Sequence, residues 1–193
     1  MFIPLLIAVA IIAVYVVSIY NDLQKLKTQI MASIQEIGNQ LKRQASLIPN
    51  LLETVKGYLK HEKSIFKMLT DARKAAQKAE KTGSSKDIED AINQIQQAIP
   101  KLSIAVEDNP EMKADKTVTK FMNELTDTAD KLMYARRSVI DLSQTYNEKL
   151  VIFPSNMIAN MFGFKPEKGL ATALTGSHVE VSSNEMKDVK VDL

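Results

Sequence analysis

Residues 23–59 read LQKLKTQIMASIQEIGNQLKRQASLIPNLLETVKGYL, and their apolar side chains recur at intervals of mostly three and four positions. The series begins at Leu23 and Leu26 and continues through Ile30 and Ile34. An α-helix has about 3.6 residues per turn, so this spacing places the apolar side chains along one side of a helix. No stretch of the sequence alternates apolar and polar residues for long enough to predict a strand. The pattern predicts an all-α fold.

The same apolar series continues beyond residue 59 as far as Ala79, which predicts one long helical arm. Pro49 lies inside this arm without interrupting the series, so we expect a kink there, with Ser46 near the freed backbone groups. About sixty residues of helix, at about 1.5 Å per residue, would reach about 90 Å. The sequence therefore predicts an elongated, rod-shaped soluble part.

The segment before this arm, residues 1–20, contains no charged side chain. A helix of this length spans about 30 Å, which is the thickness of the hydrocarbon core of a bilayer. No Lys or Arg precedes Lys25, and the segment lacks the small-residue site at which a secretory signal is cleaved. Residues 1–20 are therefore predicted to be an uncleaved transmembrane anchor, with the lipid bilayer as partner.

Two more helical patterns follow, over residues 88–102 and 118–153, with apolar residues at the same spacing. Turn-forming residues separate them at 82–85 and 107–110, and Pro100 is expected to bend or end the shorter helix. Short connections make neighbouring helices antiparallel. The predicted fold is an N-terminal transmembrane helix followed by an elongated antiparallel bundle of three to four helices.

The chain accordingly divides into an anchor at 1–20, a helical bundle at 21–164 and a tail at 165–193. In the bundle, residues 155–162 form a short last element whose Met157, Ile158, Met161 and Phe162 are expected to close one end. The tail mixes Pro, Gly, Ser and charged residues without helical periodicity. It is predicted to be flexible.

The sequence offers little reactive chemistry. Cysteine is absent, and His61-Glu62 lacks the second histidine of a helical zinc motif, because Ile65 occupies that position. No phosphate-binding glycine loop or nucleophile motif is present, and no aromatic or zinc-finger pattern accompanies the lysines. A site built only from carboxylates on facing helices is the remaining alternative for a metal. We therefore predict no enzymatic activity, cofactor, metal, nucleic acid or small-molecule substrate.

Residues 41–62, LKRQASLIPNLLETVKGYLKHE, carry a family resemblance. Together with Ala135-Arg136-Arg137, Tyr146-Asn147 and Phe153-Pro154-Ser155-Asn156, they resemble the signature of the LemA family of bacterial membrane proteins, over residues 1 to about 165. The resemblance implies one N-terminal membrane helix, a short external N-terminus, a cytoplasmic helical bundle and no established enzymatic activity. The chain departs from the family pattern at Asp108-Asn109-Pro110, where a Tyr-Pro pair is typical.

Polar residues within these motifs are the candidate interaction residues. They either join the antiparallel helices through hydrogen bonds and ion pairs that fix the bundle register, or form a shared surface that binds a partner. They are Arg43, Asn50, Glu53, Lys56, His61, Glu62, Arg73, Arg136, Arg137 and Asn147.

These features together predict a non-enzymatic interaction scaffold at a bacterial membrane, with a protein partner or self-association. The alternatives are an accessory or regulatory subunit of a membrane enzyme such as a protease, and a membrane-shaping or organelle-organising protein. Residues 22–81 are richer in Lys and Arg than in Asp and Glu, which suits an approach to acidic lipid. Lys25 and Lys27, next to the anchor, favour a cytoplasmic bundle with the N-terminus outside.

Overall fold

A computed structural model of the chain describes residues 2–58 and 63–170, and every regular element within them is a helix. This confirms the all-α prediction. The helices are α1 (Phe2–Val55), α2 (Lys63–Thr82), α3 (Ser85–Asp108), α4 (Pro110–Ala114), α5 (Lys116–Val151) and α6 (Ser155–Met161).

The long helices α1, α2, α3 and α5 run alternately up and down in an antiparallel bundle. Lys42 of α1 pairs with Glu80 near the end of α2 at 3.7 Å, and Arg43 pairs with Glu124 near the start of α5 at 4.0 Å. The turn between α2 and α3 is tight because Gly83 takes a φ of 60°, which glycine adopts without steric cost. The short helix α4 occupies the connection between α3 and α5.

The bundle core is made by the apolar side of each long helix. Leu41, Leu69, Ile92 and Leu125, one from each helix, are at most 1% exposed. Burying an aliphatic side chain of this size stabilises the fold by about 1.5 to 3 kcal/mol. The apolar spacing seen in the sequence therefore corresponds to the packing that holds the bundle together.

Helix α1 has two parts that differ in environment. Residues 2–15 are exposed, and the most apolar window of the helix has none of its residues buried within the protein. That segment is long and apolar enough to cross a membrane. Leu23 is fully buried, and from there α1 contributes to the bundle up to Val55. The predicted anchor and the first bundle helix are thus one continuous helix.

The prediction of a single arm up to Ala79 was wrong. Helix α1 ends at Val55, and α2 begins at Lys63 and packs back against α1. A turn at residues 56–58, closed by the hydrogen bond from Tyr58 N–H to Val55 O at 3.0 Å, separates them. The bundle part of α1 is therefore only about 50 Å long at about 1.5 Å per residue.

The two internal prolines do not end their helices. Pro49 lies inside α1, and Pro100 lies inside α3, which continues to Asp108. Ser46 donates from Oγ to the Lys42 carbonyl at 3.0 Å, one turn before the Ala45 carbonyl that Pro49 leaves without its usual donor. Ser46 directly follows that carbonyl in the chain, as expected, but its hydroxyl bonds to the Lys42 carbonyl and not to the carbonyl that Pro49 frees.

After α6 the chain runs back along the bundle as residues 164–170. Leu170 is 6% exposed and joins the main core. Gly169 has a φ of 59°, and a Cβ at that position would lie 3.2 Å from the Ser143 Cβ. The first six residues of the sequence segment assigned to a flexible tail, 165–170, thus pack on the bundle. Residues 171–193 lie outside the described residues.

Candidate functional site

Eight of the ten candidate interaction residues lie within the described part of the chain, where they are distributed along the bundle. Asn50, Glu53 and Lys56 are exposed near the end of α1 that lies away from the anchor. Asn147 lies at the other end, level with Lys27 of α1, about 35 Å from Asn50 at about 1.5 Å per residue. The residues at the two ends therefore cannot bind one compact partner surface together.

The basic candidates occupy different environments. Arg43 and Arg137 are exposed and form surface ion pairs with Glu124 and Asp141, which contribute at most about 1 kcal/mol each. Arg73 and Arg136 are half-buried. The remaining two candidates, His61 and Glu62, lie outside the described residues. Whether any of these residues binds a partner stays a prediction.

Asn147 holds the returning segment against α5. Its Nδ2 donates to the Glu167 carbonyl at 2.7 Å, and the Glu167 N–H donates to Asn147 Oδ1 at 2.9 Å. Lys27 of α1 pairs with the Glu167 carboxylate at 3.7 Å. Glu167 thus joins α1, α5 and the returning segment, a role that the sequence did not suggest for it.

We expect Asn147→Ala to lower the free energy of unfolding by about 1 to 3 kcal/mol, because two hydrogen bonds of about 0.5 to 1.5 kcal/mol each are lost. The Glu167 amide loses its acceptor, so its hydrogen exchange should become faster. Gln144→Ala, an exposed amide on the same helix, is the control. An unchanged hydrogen-exchange rate of the Glu167 amide would contradict the assignment of Asn147 as its hydrogen-bond acceptor.

The end of the bundle next to the anchor has its own small core. Leu23, Leu26 and Ile30 of α1 pack with Tyr146 of α5 and Ala159 of α6. At this end, Lys149 of α5 forms an ion pair with Asp22 of α1. We call this group the membrane-end cluster, because it begins directly after the exposed apolar part of α1.

Aromatic contacts continue the membrane-end cluster toward the anchor. The ring of Tyr20 lies 4.8 Å from that of Phe162 and 5.6 Å from that of Phe164, measured between centroids. Tilted aromatic pairs at such distances add to the stabilisation from burial. Tyr20, the last residue of the predicted anchor, is therefore packed against the end of α6 and the segment that follows it.

A polar groove lies between α2 and α3, with a volume of about 520 Å³. Both signs of charge and two amides line it, so it suits polar groups better than an apolar ligand. Its lining consists of Met68, Asp71, Lys74, Ala75, Lys78, Asp87, Asp90, Gln94 and Gln97. Within residues 2–58 and 63–170, no three His, Cys, Asp or Glu side chains are grouped so that they could hold a metal ion.

Among the groups that line the groove, the carboxyl of Asp87 has the largest shift in pKa. Its carboxylate accepts hydrogen bonds from Lys78 at 2.7 Å, from Thr82 Oγ1 at 2.7 Å and from Ser84 Oγ at 2.9 Å. These bonds lower the pKa of Asp87 from 3.8 to about 2. The Ser84 hydroxyl also accepts from the Asp87 N–H and so caps the start of α3.

We expect the Asp87 carboxylate to stabilise the fold above its unfolded pKa of 3.8, and this contribution to be lost as the pH falls through about 2. Asp87→Asn should be less stable than the wild type at pH 6, and the difference should shrink between pH 4 and pH 2. Denaturant titrations of the full chain at each pH measure it. The control is Asp90→Asn, which changes a carboxylate of the same groove. If the stability difference from the wild type changed with pH equally in both variants, the stabilising role assigned to the Asp87 carboxylate would be refuted.

The buried polar side chains are a feature that the sequence reasoning missed. Gln44 is fully buried and Gln40 is 9% exposed, both on the core side of α1. Gln40 Nε2 donates to Glu36 Oε1 at 2.6 Å. Gln40 and Gln44 are four positions apart and fall in step with the apolar series of α1, and this spacing could have predicted their burial. Buried amides of this kind can fix the register of facing helices.

The family of the chain is shown by comparison with models of protein families. The model of a protein family described as the LemA family matches residues 33–182. No curated protein matches the chain. The matched range begins in the bundle part of α1 and includes the groove between α2 and α3, the membrane-end part of α5 and all of α6.

Proposed function

The chain belongs to the LemA family, and on this premise we propose that it is a non-enzymatic interaction scaffold, held at a bacterial membrane by α1. The protein presents its bundle to a protein partner or to other copies of itself. Residues 2–20 serve as the anchor, residues 21–164 as the bundle that presents the surface, and residues 165–193 as a tail whose first part is docked.

The continuity of α1 is the observation that carries this proposal. Its exposed apolar part leads into the fully buried Leu23 without a loop between them. A flexible linker would let the bundle move freely relative to the membrane. A continuous helix instead holds the bundle at a set distance and direction, which suits a protein that presents a surface.

Two polar surfaces of the bundle face outward and are candidates for presentation. The exposed side chains of Asn50, Glu53 and Lys56 lie at the distal end of α1. The groove between α2 and α3 exposes Lys74 and Asp90. Polar and charged surfaces favour regulated, reversible contacts over permanent assembly.

Photo-crosslinking of the full-length protein in its native membrane tests the proposal. A photoreactive amino acid replaces Lys56, Lys74 or Arg137 on the bundle, and Val9 in the anchor as the control. We expect links from at least one bundle position to a recurring protein, identified by mass spectrometry, that Val9 does not give. The proposed scaffold role is refuted if no bundle position gives a cross-linked product above the background of an unirradiated sample.

The identity of the linked protein then decides between the alternatives. Links only between copies of this chain would support a self-assembling scaffold. Links to one membrane enzyme, whose activity changes when this chain is deleted, would instead make it an accessory subunit.

We propose that the bundle lies on the cytoplasmic side, because Lys25 and Lys27 directly follow the anchor and Lys165 bonds through its carbonyl to Tyr146 of the membrane-end cluster. The chain contains no cysteine, so a single Lys81→Cys variant reports on one exposed site. A membrane-impermeant maleimide should label it only after the membrane is permeabilised. Labelling of intact cells would reverse the orientation.

A further inference from the structure

The corner between α5 and α6 exposes an unusual amount of apolar surface. Six apolar side chains between residues 151 and 162 are about half or more exposed, while Ile158 and Ala159 on the opposite side of α6 are buried. The exposed residues are Val151, Ile152, Phe153, Met157, Met161 and Phe162. Contiguous apolar surface of this kind on a protein marks a contact with a membrane or a partner. We call these residues the apolar corner.

The position of the apolar corner relative to the anchor identifies its surroundings. Residues 2–20 form about 28 Å of helix, close to the thickness of the hydrocarbon core, so Tyr20 lies at the boundary between lipid and water. Phe162 of the corner contacts the Tyr20 ring at 4.8 Å between centroids. Lys149, two residues before Val151, pairs with Asp22 of α1. The apolar corner is therefore held at the level where α1 leaves the bilayer.

We propose that the apolar corner inserts into the interface of the same bilayer that α1 crosses, and forms a second membrane attachment of the bundle. The exposed side of α6 then lies in the plane of the headgroups, with its Met side chains toward the acyl chains. Lys25 and Lys165, both exposed beside this end, lie where acidic headgroups would be. The exposed apolar side chains of the corner are unfavourable in water, and their transfer into the lipid interface is favourable.

This attachment rests on α1 spanning the membrane, and it adds a second contact to that anchor. One continuous helix sets the distance of the bundle from the membrane and the direction of its axis, but it leaves the bundle free to rotate about that axis. A second contact fixes which side of the bundle lies against the lipid. The polar groove between α2 and α3 would then keep one set orientation above the membrane surface.

Depth measurements on the full-length protein in lipid vesicles test the insertion. Because the chain has no cysteine, single variants can each carry one environment-sensitive fluorophore. Phe153→Cys and Met157→Cys probe the apolar corner, and Val9→Cys in the anchor is the positive control. Ile104→Cys is the matched negative control, since Ile104 is also an exposed apolar residue at 58% but lies on α3 toward the other end of the bundle. The vesicles contain acidic phospholipid and a fraction of lipid with a spin label on its acyl chain.

The expected result is lipid-dependent quenching at residues 153 and 157 that is several-fold stronger than at residue 104. Quenching at 153 and 157 equal to that at 104 would overturn the proposal. A blue-shifted signal there without lipid quenching would mean that another copy of the chain covers the corner, and it would overturn the proposal as well. An unquenched label at residue 9 would show that α1 does not insert, and both attachments would then be refuted.

Discussion

Replacing Tyr146 with alanine is expected to lower the free energy of unfolding by about 3 to 5 kcal/mol, as for other large aromatic side chains removed from a core. Tyr146 is fully buried in the membrane-end cluster against α1 and α6. Its hydroxyl donates to the Lys165 carbonyl at 3.1 Å, so the substitution also removes a contact with the returning segment. Burial raises the pKa of Tyr146, and the nearby Glu167 adds to this effect, which keeps the hydroxyl protonated as a donor.

Denaturant unfolding of the full chain in detergent measures this loss. Tyr134→Ala is the matched control, because Tyr134 lies on the same helix and is 75% exposed. We expect that control to change stability by no more than about 0.5 kcal/mol. Tyr146→Phe separates the hydrogen bond from the packing and should cost only about 0.5 to 1.5 kcal/mol. Similar losses from Tyr146→Ala and Tyr134→Ala would mean that the membrane-end cluster contributes little.

Two arginines in the middle of the anchor should prevent its insertion. Val9 and Ile12 are exposed in the protein, near the centre of the apolar part of α1. An arginine at the centre of a spanning helix costs about 2.5 to 3.5 kcal/mol, so the Val9→Arg, Ile12→Arg double variant loses roughly 5 to 7 kcal/mol of insertion free energy. We expect the protein to move from the membrane pellet to the soluble fraction on alkaline extraction.

The control keeps the added charge and changes only its position. The double variant Gln29→Arg, Gln35→Arg places two arginines at exposed positions of α1 beyond the span. This variant should stay in the membrane pellet. If both double variants are extracted equally, a general charge effect explains the result, and residues 2–20 do not provide the attachment.

The long helices could be predicted from the sequence because each carries one continuous apolar side that a bundle must bury. The turn at residues 56–58 could not, since the apolar series keeps its spacing across it. Ile65 and Leu69 of α2 face the same core as Val55 of α1, so the series looks like one helix although the chain reverses. Gly57 was the only local sign of the reversal.

The site was harder to predict than the fold, because its contacts join residues that no periodicity connects. Asn147 was identified as a candidate, but its partner is the backbone of Glu167, in a stretch that has no helical pattern. Met157, Ile158, Met161 and Phe162 were expected to close one end of the bundle, and this was wrong for the two methionines. Met157 and Met161 are 63% and 65% exposed, whereas Ile158 is buried, because a helix that packs on the outside of a bundle buries only one of its sides.

Because α1 runs unbroken from its exposed apolar part into the bundle, it would act as a lever in a membrane. Transmembrane helices tilt when the hydrocarbon thickness around them changes, and a rigid rod passes that tilt to everything attached to it. From Tyr20 to Ile48, before the proline, α1 measures about 42 Å, so a tilt of about 10° would move the far point sideways by about 7 Å. A change in the hydrocarbon thickness around α1 would thereby move the distal end of the bundle.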